Sequence, residues 1–239
     1  MKGNITLGAL LLGVCGVLGM TSLGQVTSEG ALDYRRLERS VTVKGLSERE
    51  YPADVVIWPI AFTAVDNRLP ELYQSIEQQT DGIADFLREN GIAEGEISIG
   101  APRVFDKLAQ HYGDGRTVEF RYAANRTVTV YSQRVDAVRA LTQKLSALGG
   151  RGIALMGESH LNQTEYLFTR LNEVKPGMIE ETTRKARQVA QKFAEDSRSQ
   201  LGRIRRATQG QFSISARDSN SPHIKRVRVV STVEFYLTD

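Results

Sequence analysis

Residues 53–65, ADVVIWPIAFTAV, constrain the fold most strongly, because both alternating faces of this stretch are apolar. Val55 and Ile57 lie on one face in an extended chain, and the other carries Val56, Trp58, Ile60 and Phe62. A strand of this kind needs cover on both sides, from helices on one and from a loop or a second subunit on the other. Pro59 has no backbone N–H to donate, so it indicates a bulge or an edge position.

Strand and helix patterns alternate from Ser40 to the end of the chain in the order ββ-α-ββ-α-β-α-ββ. No Pro-, Gly- or Ser-rich linker long enough to separate domains interrupts them, which favours one domain over residues 40–239. Strands joined by short turns pair antiparallel, and amphipathic helices need an apolar sheet face to cover. The sequence therefore predicts a two-layer α+β fold, with three helices on one face of an antiparallel sheet of about six to seven strands and an apolar helix at the N-terminus.

The first strand carries Val41 and Val43 and is expected to end at Gly45. The charged residues that follow would then form a hairpin crossing over residues 45–52. A turn at Asp114-Gly115 predicts that the two strands beside it pair. Further strands are expected closer to the C-terminus. The two at residues 152–160 and 164–171 could be a single bent strand. The strands beside the turn and the later ones cover residues 97–108, 117–131, 152–160, 164–171, 212–216 and 227–237.

Apolar residues spaced three and four positions apart predict the three helices. The first ends at Gly91, and its inner face carries Leu69, Leu72, Tyr73, Ile76, Thr80, Ile83, Phe86 and Leu87. The second runs from a capping Ser132 to Gly149-Gly150. The third opens at Pro176 and ends at Gly202, and its inner stripe is predicted to be Ile179, Thr183, Ala186, Ala190, Phe193 and Ser197.

Residues 5–23, ITLGALLLGVCGVLGMTSL, have no charged side chain and are long enough to cross a bilayer core as a helix. Ser22 and Gly24 are small enough to precede a signal-peptide cut before Gln25. Residues 1–24 are therefore either an uncleaved signal anchor, which we favour, or a cleaved signal peptide. Residues 25–39 are polar and are expected to form a tether.

Lys2 is the only Lys or Arg ahead of the apolar segment, which places the amino end in the cytoplasm. We therefore expect a single-pass inner-membrane protein whose domain lies in the periplasm. The alternative is a soluble periplasmic protein that has lost its leader.

Three separated stretches carry a family resemblance: SVTVKGLSEREYPADVVIWPIAF, LFTRLNEVKPGMIEETTRKARQVAQKFAEDS and IRRATQGQFSISARDSNSPHIKRVRVVSTVEFYL. In this order they resemble the SIMPL-domain family, whose bacterial members are exported or membrane-anchored. The resemblance covers about residues 40–239. It implies an α+β domain with a curved antiparallel sheet, helices on one side, and self-association in some members. It brings no catalytic residues.

Candidate catalytic groups are few. Glu48 and Glu50 point the same way on extended chain, but they sit in a charged turn and are expected to be solvated. The three histidines have no metal-ligand spacing, and the only cysteine lies in the leader, so a zinc site built on cysteine is excluded. We expect no enzyme activity, no cofactor and no metal.

Basic clusters occur at Arg203-Arg205-Arg206 and at Lys225-Arg226-Arg228, but the net charge is only +3 and few aromatics accompany them. Nucleic-acid binding is therefore not expected. The arginines are expected to face solvent, anionic lipid headgroups or a neighbouring subunit.

Two main functional hypotheses follow, and an enzyme of unrecognised type is a third, which only the abundant carboxylates favour. The first is a membrane-anchored envelope protein that acts through protein–protein contacts, including contacts with copies of itself, through the second face of the 53–65 strand. The second is a small-molecule or lipid binder that uses a concave sheet face. The candidate interaction residues for the two hypotheses together are Val55, Ile57, Trp58, Tyr122 and Tyr236.

Overall fold

The computed structural model describes residues 39–110, 119–157 and 162–238. The apolar leader and the Asp114-Gly115 turn lie outside the described residues. The described part has a mixed α+β fold with two antiparallel sheets, where the sequence predicted one. Its ten strands are β1 Ser40–Pro52, β2 Val55–Asp66, β3 Ile97–Ile99, β4 Arg103–Asp106, β5 Tyr122–Ser132, β6 Ala154–Leu155, β7 Glu165–Leu167, β8 Gln200–Gln209, β9 Ser213–Ala216 and β10 Ile224–Thr238.

The same part of the chain contains five α-helices instead of three. The predicted second helix is two short helices, α3 and α4, and a one-turn helix, α2, was not predicted. A 3₁₀ turn over Glu94–Glu96 precedes β3. The helices are α1 Leu69–Glu89, α2 Lys107–Gln110, α3 Val135–Thr142, α4 Ser146–Gly150 and α5 Leu171–Asp196.

The chain divides into two compact units. The first comprises Met1–Glu48, Val174–Ser213 and Arg228–Asp239, and the second comprises Arg49–Glu173 and Ile214–Val227.

The second unit is built on a sheet with the strand order β3-β5-β2-β6, in which β4 also pairs with β5 and β7 with β2. Strands β2 and β5 pair without interruption from Val56 opposite Ser132 to Asp66 opposite Tyr122. Pro59 lies between the short partners of β2, because β7 pairs with Val55–Ile57 and β6 with Phe62–Thr63. It therefore occupies a local edge, where a missing N–H costs no ladder bond.

Helix α1 follows the sequence prediction closely. Six of the eight predicted inner residues are buried, whereas Leu69 and Tyr73 at its start are exposed. Gly91 follows the helix with a φ of +85°, a left-handed conformation that glycine adopts without strain. The core against which the helix packs includes Val56, Trp58, Ile60, Phe62, Val128, Val130, Val138 and Leu148.

The first unit contains the sheet β1-β10-β8, in which β9 also pairs with β10. Helix α5 packs on this sheet through Ala186 and Ala190, which contact a cluster of Val43, Val233 and Phe235. Alanines on the helix bring it close to the strands, because they add little bulk between the two backbones.

The predicted hairpin crossing at residues 45–52 is wrong. Strand β1 continues through Gly45 and the charged residues to Pro52, and the turn to β2 is only two residues long. Strands β1 and β2 also belong to different sheets. Gly45 was interpreted as a strand end, but it serves the packing of α5: a Cβ atom at this position would lie 1.8 Å from the carbonyl oxygen of Thr182.

The predicted limits of the third helix are also wrong, and among the residues of its predicted inner stripe only Ala186 and Ala190 are fully buried. The helix begins at Leu171, so Pro176 lies inside it, and it ends at Asp196, so Gly202 belongs to β8. Phe193, predicted to face inward, is 54% exposed. The buried residues are Met178, Thr182, Ala186, Ala190 and Ala194.

Candidate functional site

One face of the six-stranded sheet points away from the core, and we call it the outer face. It is formed by the residues of β2 and β5 that alternate with the buried ones. Cross-strand pairs on this face begin with Ile57 and Tyr131 and end with Val65 and Ala123. Between them lie Pro59, Ala61 and Thr63 on β2 and Thr129, Thr127 and Asn125 on β5.

None of these ten outer-face residues carries a charge, although 25% of the residues in the chain do. Most of them are half-buried, and Tyr131 is 51% exposed. Exposed sheet faces of monomeric proteins usually carry polar and charged side chains. A charge-free centre that includes a tyrosine is the composition found at the centre of protein–protein interfaces.

Charged residues flank the outer face at opposite ends. Glu165 on β7 pairs with Ile57, and Arg103 on β4 pairs with Asn125. Asn125 pairs in turn with Thr63, so the acidic and the basic end are separated by six residues along β2, or about 20 Å. The outer face therefore has one acidic and one basic end.

A depression of about 550 Å³ lies on the outer face, and its lining includes Ala61, Phe105, Asn125, Thr127 and Met156. Phe105 and Met156 are 36% and 43% exposed. These two side chains extend the apolar surface beyond the ten central residues.

A second feature of this unit is a cleft formed by α3, β7 and the loop that precedes β10. Its cavity of about 700 Å³ is lined by Trp58, Leu145, Tyr166 and Pro222, among others. A neighbouring cavity of about 540 Å³ shares Tyr166 and Pro222 and adds Arg139 and His223. The two cavities share part of their lining, and we call them together the cleft; Trp58 and Tyr166 form its aromatic wall.

Ionisable groups at the cleft are held in fixed states by their surroundings. Burial, with a further contribution from the charge of Arg139, lowers the pKa of His223, so this imidazole is neutral at pH 7. Hydrogen bonds from Arg217 and from the backbone N–H groups of Asn220 and Ser221 lower the pKa of Asp218.

The five candidate interaction residues do not form one surface. Val55 and Trp58 are each 3% exposed, and Trp58 belongs to the core and borders the cleft. Tyr122 packs against the same core under the guanidinium of Arg121. Ile57 is the one that lies on the outer face. Tyr236 belongs to the other sheet, on β10.

Tyr236 lies in an arginine-rich part of the first unit. The guanidinium carbons of Arg203 and Arg205 are each 5.8 Å from the centre of its ring. A Cβ atom on Gly202 would lie 3.0 Å from the carbonyl oxygen and 3.2 Å from the Cβ of Tyr236, so β8 and β10 approach closely at this point. Sequence reasoning placed Tyr236 and the basic cluster in separate hypotheses, because β8 has no strand-like apolar alternation.

The carboxylates of Glu48 and Glu50 do not form a pair. Glu48 lies 3.7 Å from Arg228, and Glu50 lies 3.6 Å from Arg217, so each has its own arginine. Both side chains are exposed. Within residues 39–110, 119–157 and 162–238, no group of three His, Asp or Glu side chains could hold a metal ion. His111 and His160 lie outside those ranges.

The family model described as SIMPL, a protein of unknown function (DUF541), matches residues 41–235. The chain therefore belongs to the SIMPL family, which confirms the resemblance seen in the sequence. No curated protein matches the chain. Among the helices of the described residues, none is both long enough and apolar enough to cross a membrane.

Proposed function

We propose that this chain is a non-enzymatic protein of the cell envelope that acts by binding other polypeptides, including copies of itself. Residues 5–23 anchor it in the inner membrane, and the domain lies in the periplasm. The charge-free outer face carries this proposal. In a chain with 25% charged residues, ten neighbouring sheet positions without a charge support an interaction surface.

A second copy of this chain is the partner that the outer face fits best. In a two-fold symmetric pair the same patch meets itself with the strands reversed. The acidic end at Glu165 then meets the basic end at Arg103 of the second copy, and the uncharged centres meet each other. Complementary rim charges of this kind fix the orientation of an interface more than they add to its affinity.

Sedimentation equilibrium of the full chain in density-matched detergent tests this proposal. The wild-type chain is expected to associate, and Tyr131→Lys, which places a charge at the centre of the outer face, is expected to shift it toward the monomer. Lys144→Gln, on an exposed site away from the face, is the control and should associate like wild type. A wild-type chain that stays monomeric at high concentration contradicts the proposal.

The cleft supports a second candidate function, the binding of a small molecule. Its volume is in the range of ligand pockets, and it combines an aromatic wall with hydroxyl and amide groups from Thr142, Gln143 and Thr164. Trp58 is the only tryptophan in the chain, so tryptophan emission comes from a single side chain, which borders the cleft. Native mass spectrometry of the full chain from its source should show a retained mass, and its removal should shift the Trp58 emission.

A further inference from the structure

We propose that the exposed edge strand β8, together with Tyr236, binds the anionic lipid surface of the membrane that holds the leader. This inference rests on the proposed membrane anchoring. It concerns Arg203, Arg205, Arg206 and Tyr236, which we call the β8 patch.

The charge of the first unit supports this assignment. Its residues between 39 and 238 include twelve Lys or Arg and six Asp or Glu, whereas the second unit has sixteen and eighteen. The net charge of the whole chain is small because the slight negative charge of the second unit partly cancels the strong positive charge of the first. A basic surface accumulates at an anionic bilayer within about one Debye length.

The arginines of the β8 patch are available for a partner. Arg203 and Arg206 are exposed, and Arg206 lies opposite Glu234 on β10, where its charge helps to lower the pKa of that carboxyl. Arg205 differs, because its Nη1 donates to Oε1 of Glu234 over 2.9 Å. Two guanidiniums beside one tyrosine ring match the headgroup region of a bilayer, where tyrosines and the long side chains of arginine both concentrate.

The chain enters the first unit next to this patch. The backbone N–H of Leu237 donates to the carbonyl of Arg39, and the hydroxyl of Ser40 donates to Glu234 over 2.7 Å. Glu234 is the residue that also binds Arg205. The described chain thus begins beside the β8 patch, and the proposed anchor at residues 5–23 precedes this point of the chain.

The short tether strengthens a contact that would be weak alone. Fifteen residues span at most about 50 Å when fully extended, so the patch stays at a high effective concentration above the bilayer. Each arginine near an anionic surface contributes about a fivefold bias toward the bound state. A basic strand could instead bind an acidic protein. The experiment below distinguishes an anionic lipid surface from an acidic protein as the partner.

Lipid quenching of a label on β8 tests the inference in the full chain. Cys15→Ser removes the only cysteine, and Thr208→Cys then carries a fluorophore on β8. The chain is reconstituted into vesicles of phosphatidylcholine, with or without phosphatidylglycerol, that contain a spin-labelled lipid. Quenching is expected only with phosphatidylglycerol and is expected to disappear at high salt.

The matched variants keep the ion pair of Arg205 intact. Arg203→Gln/Arg206→Gln should lower the docked-to-undocked ratio by about 25-fold, from about fivefold per arginine. Arg184→Gln/Lys192→Gln removes the same charge from the exposed side of α5 and should leave quenching unchanged. Equal quenching in neutral and anionic vesicles, or no quenching in either, overturns the inference, as does quenching that the arginine variants do not reduce.

Alkaline extraction of the same vesicles distinguishes the two proposals. A chain that is extracted contradicts the membrane anchor itself. A chain that resists extraction but shows no quenching contradicts only the lipid contact. An acidic protein is then the remaining partner for the β8 patch.

Discussion

Gly45 and Thr182 pack so closely that no side chain fits between them. A Cβ atom at Gly45 would lie 1.8 Å from the carbonyl oxygen and 2.7 Å from the carbonyl carbon of Thr182. Both of these are backbone atoms, which cannot rotate away as the end of a side chain can. This contact sets the distance between β1 and α5.

Gly45→Ala is therefore expected to destabilise the protein by more than about 2 kcal/mol, since overpacking against backbone forces the helix and strand apart. Urea unfolding of the full chain in detergent measures the change. Gly149→Ala is the control, because a Cβ atom there meets nothing within 4 Å. Equal stability of the two variants would show that α5 does not pack on Gly45.

The inner stripe of α5 makes a second prediction. Ala190 is fully buried against the cluster with Val43 and Phe235, so Ala190→Leu should cost about 1–3 kcal/mol. Phe193 is more than half exposed, so Phe193→Ala should change the free energy of unfolding by no more than about 0.5 kcal/mol. The inner stripe predicted from the sequence implies instead that Phe193→Ala lowers the free energy of unfolding strongly. The free energies of unfolding of these two variants therefore decide which face of α5 packs on the sheet.

The buried hydroxyls of Thr182 and Ser231 lie 2.8 Å apart and should be energetically coupled. Ser231→Ala alone leaves the Thr182 hydroxyl with only its bond to the Ile179 carbonyl and is expected to cost about 1 kcal/mol. In the double variant Thr182→Val/Ser231→Ala, the loss should be smaller than the sum of the single losses. Additive losses in a double-mutant cycle would mean that the two hydroxyls do not interact.

Glu96 should make the stability depend on pH in acid. Burial opposes its ionisation, but hydrogen bonds from Ser132, Arg134 and the backbone N–H of Ala93 prevail and lower its pKa from 4.5 to about 2. A lowered pKa contributes stability that is present above pH 4.5 and is lost as the pH falls toward 2. These bonds hold the 3₁₀ turn before β3 against the segment that leads into α3.

The test compares the wild type with Glu96→Gln in urea across this pH range. Wild type should be more stable by about 1–2 kcal/mol above pH 5, and the difference should shrink between pH 4.5 and 2. Gln78→Ala is the control, because this exposed substitution removes no carboxylate. A difference that does not vary with pH would show that the charge of Glu96 is not what stabilises the fold.

The sequence predicted α1, β2 and β10 well because their apolar residues repeat at helix or strand spacing and face one core. It failed at β8, where LGRIRRATQ has no alternation because nearly every residue is exposed at a sheet edge. It failed in part at α5, because small residues make the close contact with the sheet, whereas Val189 and Phe193 face solvent. The side-chain volume that fits against the partner strand, rather than hydrophobicity, decides which residues of α5 face inward. That fit cannot be recognised from the sequence of the helix alone.

The candidate site was predictable in part. The second apolar face of residues 53–65 indicated a surface without internal cover, and Ile57 lies on it. The partners of Ile57 on this face, Tyr131 and Glu165, were not predictable, because register decides which residues of β5 and β7 oppose β2. Tyr236 was selected as an aromatic residue on a strand, but only the fold brings it to the arginines of β8.

Charge reversal across the outer face tests the central claim most directly. Glu165→Arg should weaken self-association of the full chain in sedimentation equilibrium, because each copy then presents like charges to Arg103 of the other. The double variant Glu165→Arg/Arg103→Glu should restore it, although the local repulsion between position 165 and Lys225 remains. Recovery in the double variant supports the two-fold interface, whereas association that ignores both changes, or that the double variant fails to recover, contradicts it.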